Sequence, residues 1–528
     1  MTSLLAFTSI ADGDTVALTN SKGDSVESSD LSTLLHWLKY SRTDGALRIV
    51  WDLDVFLAPV LRKMTKPLLK LIASNDNGAS FDGDTIFYAL HKMARFRQAY
   101  YYGIQEFWAT NTPPPSSVSE LQQRADELTD ALCRLGMGDF QRIASPIAIF
   151  EQTELGRNVY EQIPRDYEIP PYCAGILEYA DKADRKEWIT NYQIGHWDNL
   201  YDWDISAAYS FEASRLPHIH DLEFWHSDSL GKREEGSLFG FVKGRMWIDP
   251  DHPMQHCSPV MVNNGVFHGN PAGLLDPDCY SLDEVRFILN NGLGGFIMED
   301  GYFAKVMNGV RPRYPLRAIM ERLYGLREVS PVASGVVKAV ANQLVGKLVE
   351  RLRWRNNTEG EIYNSVYHSL ITSGCRVKVA RFLLDNNVAK DELVCVQTDG
   401  CRITKDIPVS DDGMGRWRCN GAFPVLVASP NIVLAGDKKP QHYTHDTIMS
   451  EIMEHPGQTY YGMTASHHTT LGQAIEWGDI TRVGEVIQLP ASLDLMAIPR
   501  QQNRSYKKLP EMGQSLLSNK YSSDPVVI

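Results

Sequence analysis

The stretch Leu200-Tyr-Asp-Trp-Asp204-Ile-Ser-Ala-Ala-Tyr209 decides how this chain is read. Its first half has the composition of a short strand, and Asp204 stands near the strand's end, followed by small residues. A carboxylate there, beside a backbone carbonyl such as that of Ile205, can hold Mg²⁺ and leave the cation's other positions to water and phosphate oxygens. Asp202, two residues earlier on the same strand face, is a rival ligand of lower rank. A second acid, Asp399, lies in Leu393-Val-Cys-Val-Gln-Thr-Asp399-Gly400, an apolar strand running into a glycine turn. Between them, Lys338-Ala-Val-Ala-Asn342-Gln-Leu-Val-Gly346-Lys347 sets Lys338, Asn342 and Gly346 on one helical face. Taken singly, each string has an ordinary structural reading: an acid capping a strand, a polar helix face, a turn. Taken in order, they supply what metal-dependent nucleotidyl transfer requires: two acids for two cations about 4 Å apart, and fixed positive charge for a triphosphate.

The rest of the chain is compatible with such an enzyme. Its 528 residues are enough for several domains, and an apolar fraction of 43% is ordinary for a protein with real cores. No apolar run long enough to span a membrane occurs, and the first residues lack the pattern of a signal peptide. Eight dispersed cysteines without a C-x-x-C pair favour reduced thiols in a cytosol-like compartment, the host cytoplasm if the source is viral. A net charge of −13 is awkward for a nucleic-acid enzyme, yet charge is unevenly placed. Eleven basic residues against three acids lie between Lys305 and Arg355. With screening over roughly 8 Å, that local surface matters more than the total.

Residues 1–165 read as an α/β domain, with strands at 4–7, 15–18 and 47–53 and helices near 58–73, 84–98 and 118–135. Strands follow at 200–205, 238–242 and 245–248. A helix pair is expected over 314–329 and 333–355, bent at Ser330-Pro331, then a helix at 362–384 before strand 392–397.

The order acid, lysine, acid at these spacings resembles the three polymerase motifs of family B DNA polymerases, closest to the phage-, plasmid- and transposon-type branch that includes protein-primed enzymes. The family's first motif is D-x-x-S-L-Y-P; its tyrosine excludes a 2′-hydroxyl, which implies deoxynucleotide selection by Tyr209. The second is K-x-x-x-N-S-x-Y-G; Lys338, Asn342 and Gly346 match, with Lys347 next, while Gln343 and Val345 replace serine and tyrosine. The third is Y-x-D-T-D-S; Thr398 and Asp399 match, while Gln397 and Gly400 replace the first acid and the serine. The resemblance implies an α+β right-hand fold with palm, fingers and thumb behind an N-terminal RNase H-like exonuclease-type α/β domain. The implied bounds are 1–165 for the exonuclease-like domain, 166–310 and 356–435 for the palm, 311–355 for the fingers and 436–528 for the thumb and C-terminal region.

The implied roles follow residue by residue. Asp204 and Asp399 are catalytic and, with the Ile205 carbonyl, bind Mg²⁺ or Mn²⁺; Tyr209, Arg327, Lys338, Asn342 and Gly346 meet the nucleotide. Lys347, Lys438, Arg504, Lys507 and Lys508 contact DNA. Primer–template DNA, dNTPs and a terminal priming protein are the implied partners of a monomer without membrane attachment. Strand 4–9 holds no acid and Asp52 and Asp54 match the exonuclease segments loosely, so proofreading is expected to be lost. Only a short connection follows Lys347, about where strand-displacing relatives often insert a hairpin, so neither high processivity nor strand displacement is expected. The lost checking residues also admit primer-independent or translesion synthesis, or a decayed polymerase serving as a DNA-binding replication factor. His218, His220, Asp221 and His226 have zinc-ligand types in what reads as a loop, a weak candidate.

Overall fold

The computed structural model describes residues 117–137 and 146–435 with short breaks (185–187, 194, 264–267, 270, 328–330, 353–357, 409–412 and 430–431). Beyond these it describes only 5–12, 15–20, 22–30, 33–34, 37, 48–50, 79–81, 84–86, 98–99, 104–106, 454, 460–468 and 486–494. The chain divides into two compact units, one drawn from 1–161, 322–344 and 466–489, the other from 162–321, 345–465 and 490–528. Among the described residues no helix is long and apolar enough to cross a membrane.

The first unit is built on a six-stranded sheet. Its strands are β1 (Leu5–Asp12), β2 (Thr15–Asn20), β3 (Ser25–Ser28), β4 (Arg48–Val50), β5 (Gln98–Ala99) and β6 (Ile104–Glu106), in the order β3-β2-β1-β4-β6-β5. β1 and β2 are antiparallel, whereas β1, β4 and β6 run parallel, so an antiparallel meander feeds a parallel half. On β2, Val16, Leu18 and Asn20 are buried in alternation, the period-two signature of a strand with one covered face. Helix α1 (Val118–Arg134) starts where the Ser117 hydroxyl accepts the Glu120 N–H, and buries Leu121, Ala125, Leu128 and Leu132 along one stripe. It packs on β1 and β2.

Two expectations change here. β1 runs past Ser9 to Asp12, so the strand does carry an acid at its end. The helix predicted over 84–98 has strands at both ends: Asp84–Ile86 pairs with Ala79–Phe81, and Gln98–Ala99 is β5. Segment 58–73 and the acids Asp52 and Asp54 lie outside the described residues.

The second unit has two sheets sharing a core. The first uses β7 (Ile189–Asn191), β8 (Gly195–Ile205), β14 (Leu393–Gln397), β15 (Gly400–Ile403), β16 (Trp417–Ser429) and β17 (Ile432–Ala435), ordered β17-β16-β8-β15-β14-β7. The second has β9 (Leu222–Ser227), β10 (Phe239–Ile248), β11 (Gly273–Leu274), β12 (Asp278–Ser281) and β13 (Gly294–Val306), ordered β9-β13-β10-β11 with β12 beside β10. The two strands predicted at 238–242 and 245–248 are one, because a register shift at Lys243/Gly244 absorbs the irregularity without a turn. α2 (Glu154–Gln162) belongs to the first unit but for its last residue, and the longer helices of the second unit include α3 (Gly175–Ala183), α4 (Ala208–Ser214), α5 (Leu282–Asn290) and α8 (Ser365–Asp385).

Helix α8 lies under the first sheet. Trp203 meets Phe382 at 5.4 Å between ring centroids, and Phe382 stacks on Trp417 at 4.0 Å. Burying the Trp203 and Phe382 rings contributes roughly 1.5–3 kcal/mol each, and with half-buried Trp417 against them they fix the face of β8 that carries Trp203 and Ile205. Asp202 and Asp204, one residue out of phase, are thereby turned to the other face.

The expected helix pair consists of α6 (Arg317–Arg327) and α7 (Pro331–Lys347), each spanning a boundary between the units. Proline at the first position of α7 costs no internal hydrogen bond. α7 ends two turns earlier than predicted, because Arg351–Leu352 turns extended to pair with Thr358–Glu359. A small ribbon therefore occupies the link after Lys347.

Asp166 shows what the helix start at α8 demands. Its Oδ2 accepts the Ser365 N–H (3.0 Å) and hydroxyl (2.8 Å), while its Oδ1 is buried with no partner. Burial pushes this carboxyl from 3.8 up to about 6, against the lowering effect of the Ser365 bonds. A raised folded-state pKa stabilises at low pH and loses that contribution as pH climbs from about 4 through about 6. Asp166→Asn, which keeps one acceptor oxygen, is expected to flatten this loss, on the order of 2 kcal/mol, in urea unfolding compared at pH 4.5 and 7. A variant with the wild-type slope would show that Asp166 is not its source.

Candidate active site

β8 presents Asp204 and ends at Ile205, and the chain then turns sharply into α4. Ser206 donates its N–H to the Arg416 carbonyl (2.9 Å) and accepts the Gly415 N–H (2.6 Å), which ties the turn to the start of β16. Ala207 takes the left-handed conformation, φ 51° and ψ 49°, a cost that a residue with a Cβ carries only where its surroundings impose it. Tyr209 follows in the first turn of α4, half-buried against the core.

The second acid is carried by a tight hairpin. Gln397 pairs with Gly400, so Thr398 and Asp399 alone form the turn between β14 and β15. Thr398 is also left-handed, φ 60°, at the position where two-residue turns of one common type prefer glycine. A β-branched residue there is strained, and the Thr398 N–H is anchored on the Trp188 carbonyl at 2.8 Å. Both acid-bearing turns thus hold a left-handed non-glycine residue.

The register brings the two turns together. Asp204 pairs directly with Gly400, and the Ile205 N–H donates to the Asp399 carbonyl at 3.0 Å. Opposed Cα atoms in an antiparallel pair lie about 4.5–5.5 Å apart, and Asp399 is the chain neighbour of Gly400. Asp399 lies in the turn, so strand alternation does not dictate its direction. A Cβ on Gly400 would fall 2.7 Å from the Trp203 carbonyl oxygen and 3.3 Å from Asp204 Oδ1. The glycine that replaces the family's serine is therefore what lets β15 lie this close to β8 and its carboxylate. Both acids are half-buried.

Asp202 does not share this exposure. It is 6% exposed, its Oδ1 is 3.1 Å from Arg402 Nη2, and its Oδ2 accepts from Asn420 Nδ2 at 3.1 Å. The same guanidinium donates through Nη1 to Gln397 Oε1. The rival ligand is thus committed to a cation and an amide.

Two carboxylates and the Ile205 carbonyl are hard oxygen donors, with a side-chain-free residue opposite one of them. This donor set fits a Mg²⁺-type ion that keeps its remaining positions for water and phosphate. It does not resemble a closed protein cage, and among the described residues no group of three or more His, Cys, Asp and Glu could hold a metal. The zinc candidate dissolves for a visible reason. His220 faces Glu168 (3.0 Å), Asp221 is gripped by Arg313 (2.8 Å), and His226 binds Asp300. Burial, then Arg313, holds the His218 imidazole below its usual pKa.

On α7, Lys338, Asn342 and Gly346 share the exposed face, while Val336, Val337, Val340, Ala341, Leu344 and Val345 are buried. Val345, in the family's tyrosine position, belongs to the covered stripe. Gln343 Oε1 accepts the Ile147 N–H at 3.2 Å and so serves packing. Arg327 is half-buried at the end of α6. Lys347 pairs with Glu350 at 2.9 Å. Lys438, Arg504, Lys507 and Lys508 lie outside the described residues. The basic stretch offers less unpaired charge than its composition suggests: Lys305 pairs with Glu223 and Arg313 with Asp221, while Arg317 stacks over Tyr314 at 3.7 Å.

The sequence reading missed a group under the site. Glu212 on α4 is buried and Lys378 on α8 half-buried; desolvation raises the acid's pKa and lowers the amine's, and Lys378 Nζ sits 3.7 Å from the Phe211 ring centre. Burial pushes the Cys375 thiol well up, helped by the charges of Glu212 and Asp399. The one clue was the acid four residues into an otherwise small and apolar helix.

Phi29 DNA polymerase complexed with primer-template DNA and incoming nucleotide substrates matches with a TM-score of 0.55 at 10% identity, over 93% of this chain and 99% of that chain. Its binary complex with primer-template DNA gives 0.49 at 10% identity, over 94% and 92%. The family B DNA polymerase of the archaeon Pyrobaculum calidifontis gives 0.34 at 10% identity, over 83% and 59%. No family model and no curated protein matches the sequence. The first likeness shows the fold: an α+β right-hand architecture of the family B polymerase type, as the sequence led us to expect.

Proposed function

We propose that this protein is a DNA-directed DNA polymerase that adds deoxynucleoside monophosphates to a primer 3′-hydroxyl and releases pyrophosphate. One observation carries the reading: Asp204 pairs with Gly400, which sets the acid-bearing turns of β8 and β14–β15 side by side at one end of a sheet. Phi29 DNA polymerase, whose fold this chain shares, binds primer-template DNA and incoming nucleotides, which supports the same partners here.

Asp204, Asp399 and the Ile205 carbonyl would hold Mg²⁺ or Mn²⁺. When bound, such a pair of ions lowers the pKa of the attacking hydroxyl and offsets charge on the transferred phosphate. The chain's own work is to keep the donors fixed. The Ile205–Asp399 backbone bond locks strand to turn, and the anchored Thr398 leaves Asp399 little freedom. Tyr209 is assigned to sugar selection, and Arg327, Lys338, Asn342 and Gly346 to the triphosphate and base pair, on the strength of the motifs. Lys347, Lys438, Arg504, Lys507 and Lys508 are assigned to DNA in the same way. Palm at 166–310 and 356–435, fingers at 311–355, thumb from 436 and an exonuclease-like domain at 1–165 complete the proposal, with a terminal protein as one route to priming.

A second reading draws on Gln397, a neutral residue held by Arg402 where the family has an acid: a chain with this fold could bind DNA as a replication factor without catalysis. A labelled primer on a longer template, incubated with dNTPs and Mg²⁺, separates the two. Extension is expected, and binding of the duplex without any extension would favour the replication factor. The same template without primer tests primer-independent synthesis.

A further inference from the structure

We infer that Arg402 is a positioning residue that selects which carboxylates of this sheet are presented to a divalent cation, by withdrawing Asp202 and leaving Asp204 and Asp399. The inference rests on the metal-binding reading above. It starts from the register. Asp202 on β8 faces Arg402 on β15, which faces Cys395 on β14, which faces Asn191 on β7, so these four form one row across the sheet. The next row holds Asp204, Gly400, Gln397 and Ile189. Directly opposed residues point to one face, and so do residues two apart on a strand, so both rows share the face that bears Asp204.

On that face Asp202 and Asp204 are separated by two strand steps, about 7 Å. Two carboxylates at that distance could share or divide a cation. Arg402 prevents this. One nitrogen takes Asp202 Oδ1 at 3.1 Å, Asn420 takes Oδ2 at 3.1 Å, and the other terminal nitrogen takes Gln397. Both oxygens of Asp202 are occupied, and the fork fixes the residue just before the Thr398-Asp399 turn.

Stability alone does not explain the arrangement. The pair is 10% and 9% exposed, and burying two charges commonly costs about as much as their attraction returns. Arg402 Nε is itself buried without a partner, and so is the whole Asn191 amide in the same row, which adds to the cost. Gln397 completes the logic, since an acid there would compete with Asp202 for the guanidinium and could release it. The neutral residue at 397 and the cation at 402 thus work as one device.

Mn²⁺ binding to the full-length chain, without DNA or nucleotide and read by electron paramagnetic resonance, tests this. Arg402→Gln is expected to tighten Mn²⁺ binding about tenfold or add a bound ion, and Asp202→Asn in the same chain should restore wild-type binding. Asp202→Asn alone should leave binding unchanged, which covers the case that Arg402→Gln fails to fold. Wild-type binding in a folded Arg402→Gln, or a tenfold loss in Asp202→Asn, overturns the inference. Asp204→Asn is the separate control: if it binds Mn²⁺ like the wild type, the metal-site reading itself fails.

Discussion

Asp399→Asn is expected to lower template-directed primer extension by at least about 10³-fold while leaving duplex binding intact. Asparagine preserves the size and one acceptor oxygen of the side chain, and it tolerates the turn it must occupy. The bond that joins the two turns runs from the Ile205 N–H to the Asp399 backbone carbonyl, so it survives the substitution. What disappears is one of the two negative charges proposed to hold the ions. Stabilisation worth several kcal/mol is expected to go with it, and about 1.4 kcal/mol corresponds to each tenfold in rate. Asp204→Asn should behave alike, and the double variant should be little worse than either single one, because the acids act as a unit. Duplex binding is the necessary partner measurement, since its loss would point to a damaged fold. Extension within tenfold of wild type by folded Asp399→Asn would remove the basis of the assignment.

The legibility of this site follows from what period and order can convey. Asp204 and Asp399 were readable because each ends an apolar strand and because a lysine helix lies between them. Their adjacency depends on the register Asp204–Gly400, and that hangs on a two-residue turn containing Thr398, a residue that seldom adopts φ 60°. The role of Arg402 was hidden for the same reason, since it is five residues from Gln397 along the chain and 200 from Asp202. Polar residues meeting across strands leave no mark at period two. The exposed face of α7 was legible, as Lys338, Asn342 and Gly346 recur at helical spacing opposite a valine-rich stripe. Its end was not, because Arg351–Leu352 leaves the helix to pair with Thr358–Glu359 across the chain. Composition misled most in the basic stretch, where Lys305, Arg313 and Lys347 are already paired with acids.

The largest stability effect is expected from a buried ion pair that joins α5 to α8. Arg376 on α8 and Glu284 on α5 have side chains only 1% and 0% exposed. Arg376 Nε and Nη2 both donate to Glu284 Oε1, at 3.0 and 2.8 Å. The other oxygen, Oε2, accepts the Ser281 N–H and hydroxyl at 3.2 and 3.1 Å, closing the capping box that begins α5. One carboxylate thus starts one helix and anchors another, the helix whose Phe382 packs against Trp203 and Trp417 of the first sheet. Arg376→Met keeps the length and the apolar contacts but leaves Glu284 charged, buried and uncompensated. We expect it to cost about 3–5 kcal/mol of unfolding free energy, seen as a lower urea midpoint. Glu284→Gln in the Arg376→Met background removes the stranded charge and keeps an acceptor for Ser281. It should regain more than half of that loss, and a cycle of single and double variants measures the coupling. Extension activity should fall only with the folded fraction, because neither residue is among the proposed metal, nucleotide or DNA ligands. A cost below about 1 kcal/mol for Arg376→Met would mean that water reaches the pair, and α5 and α8 would then be held by their apolar contacts alone.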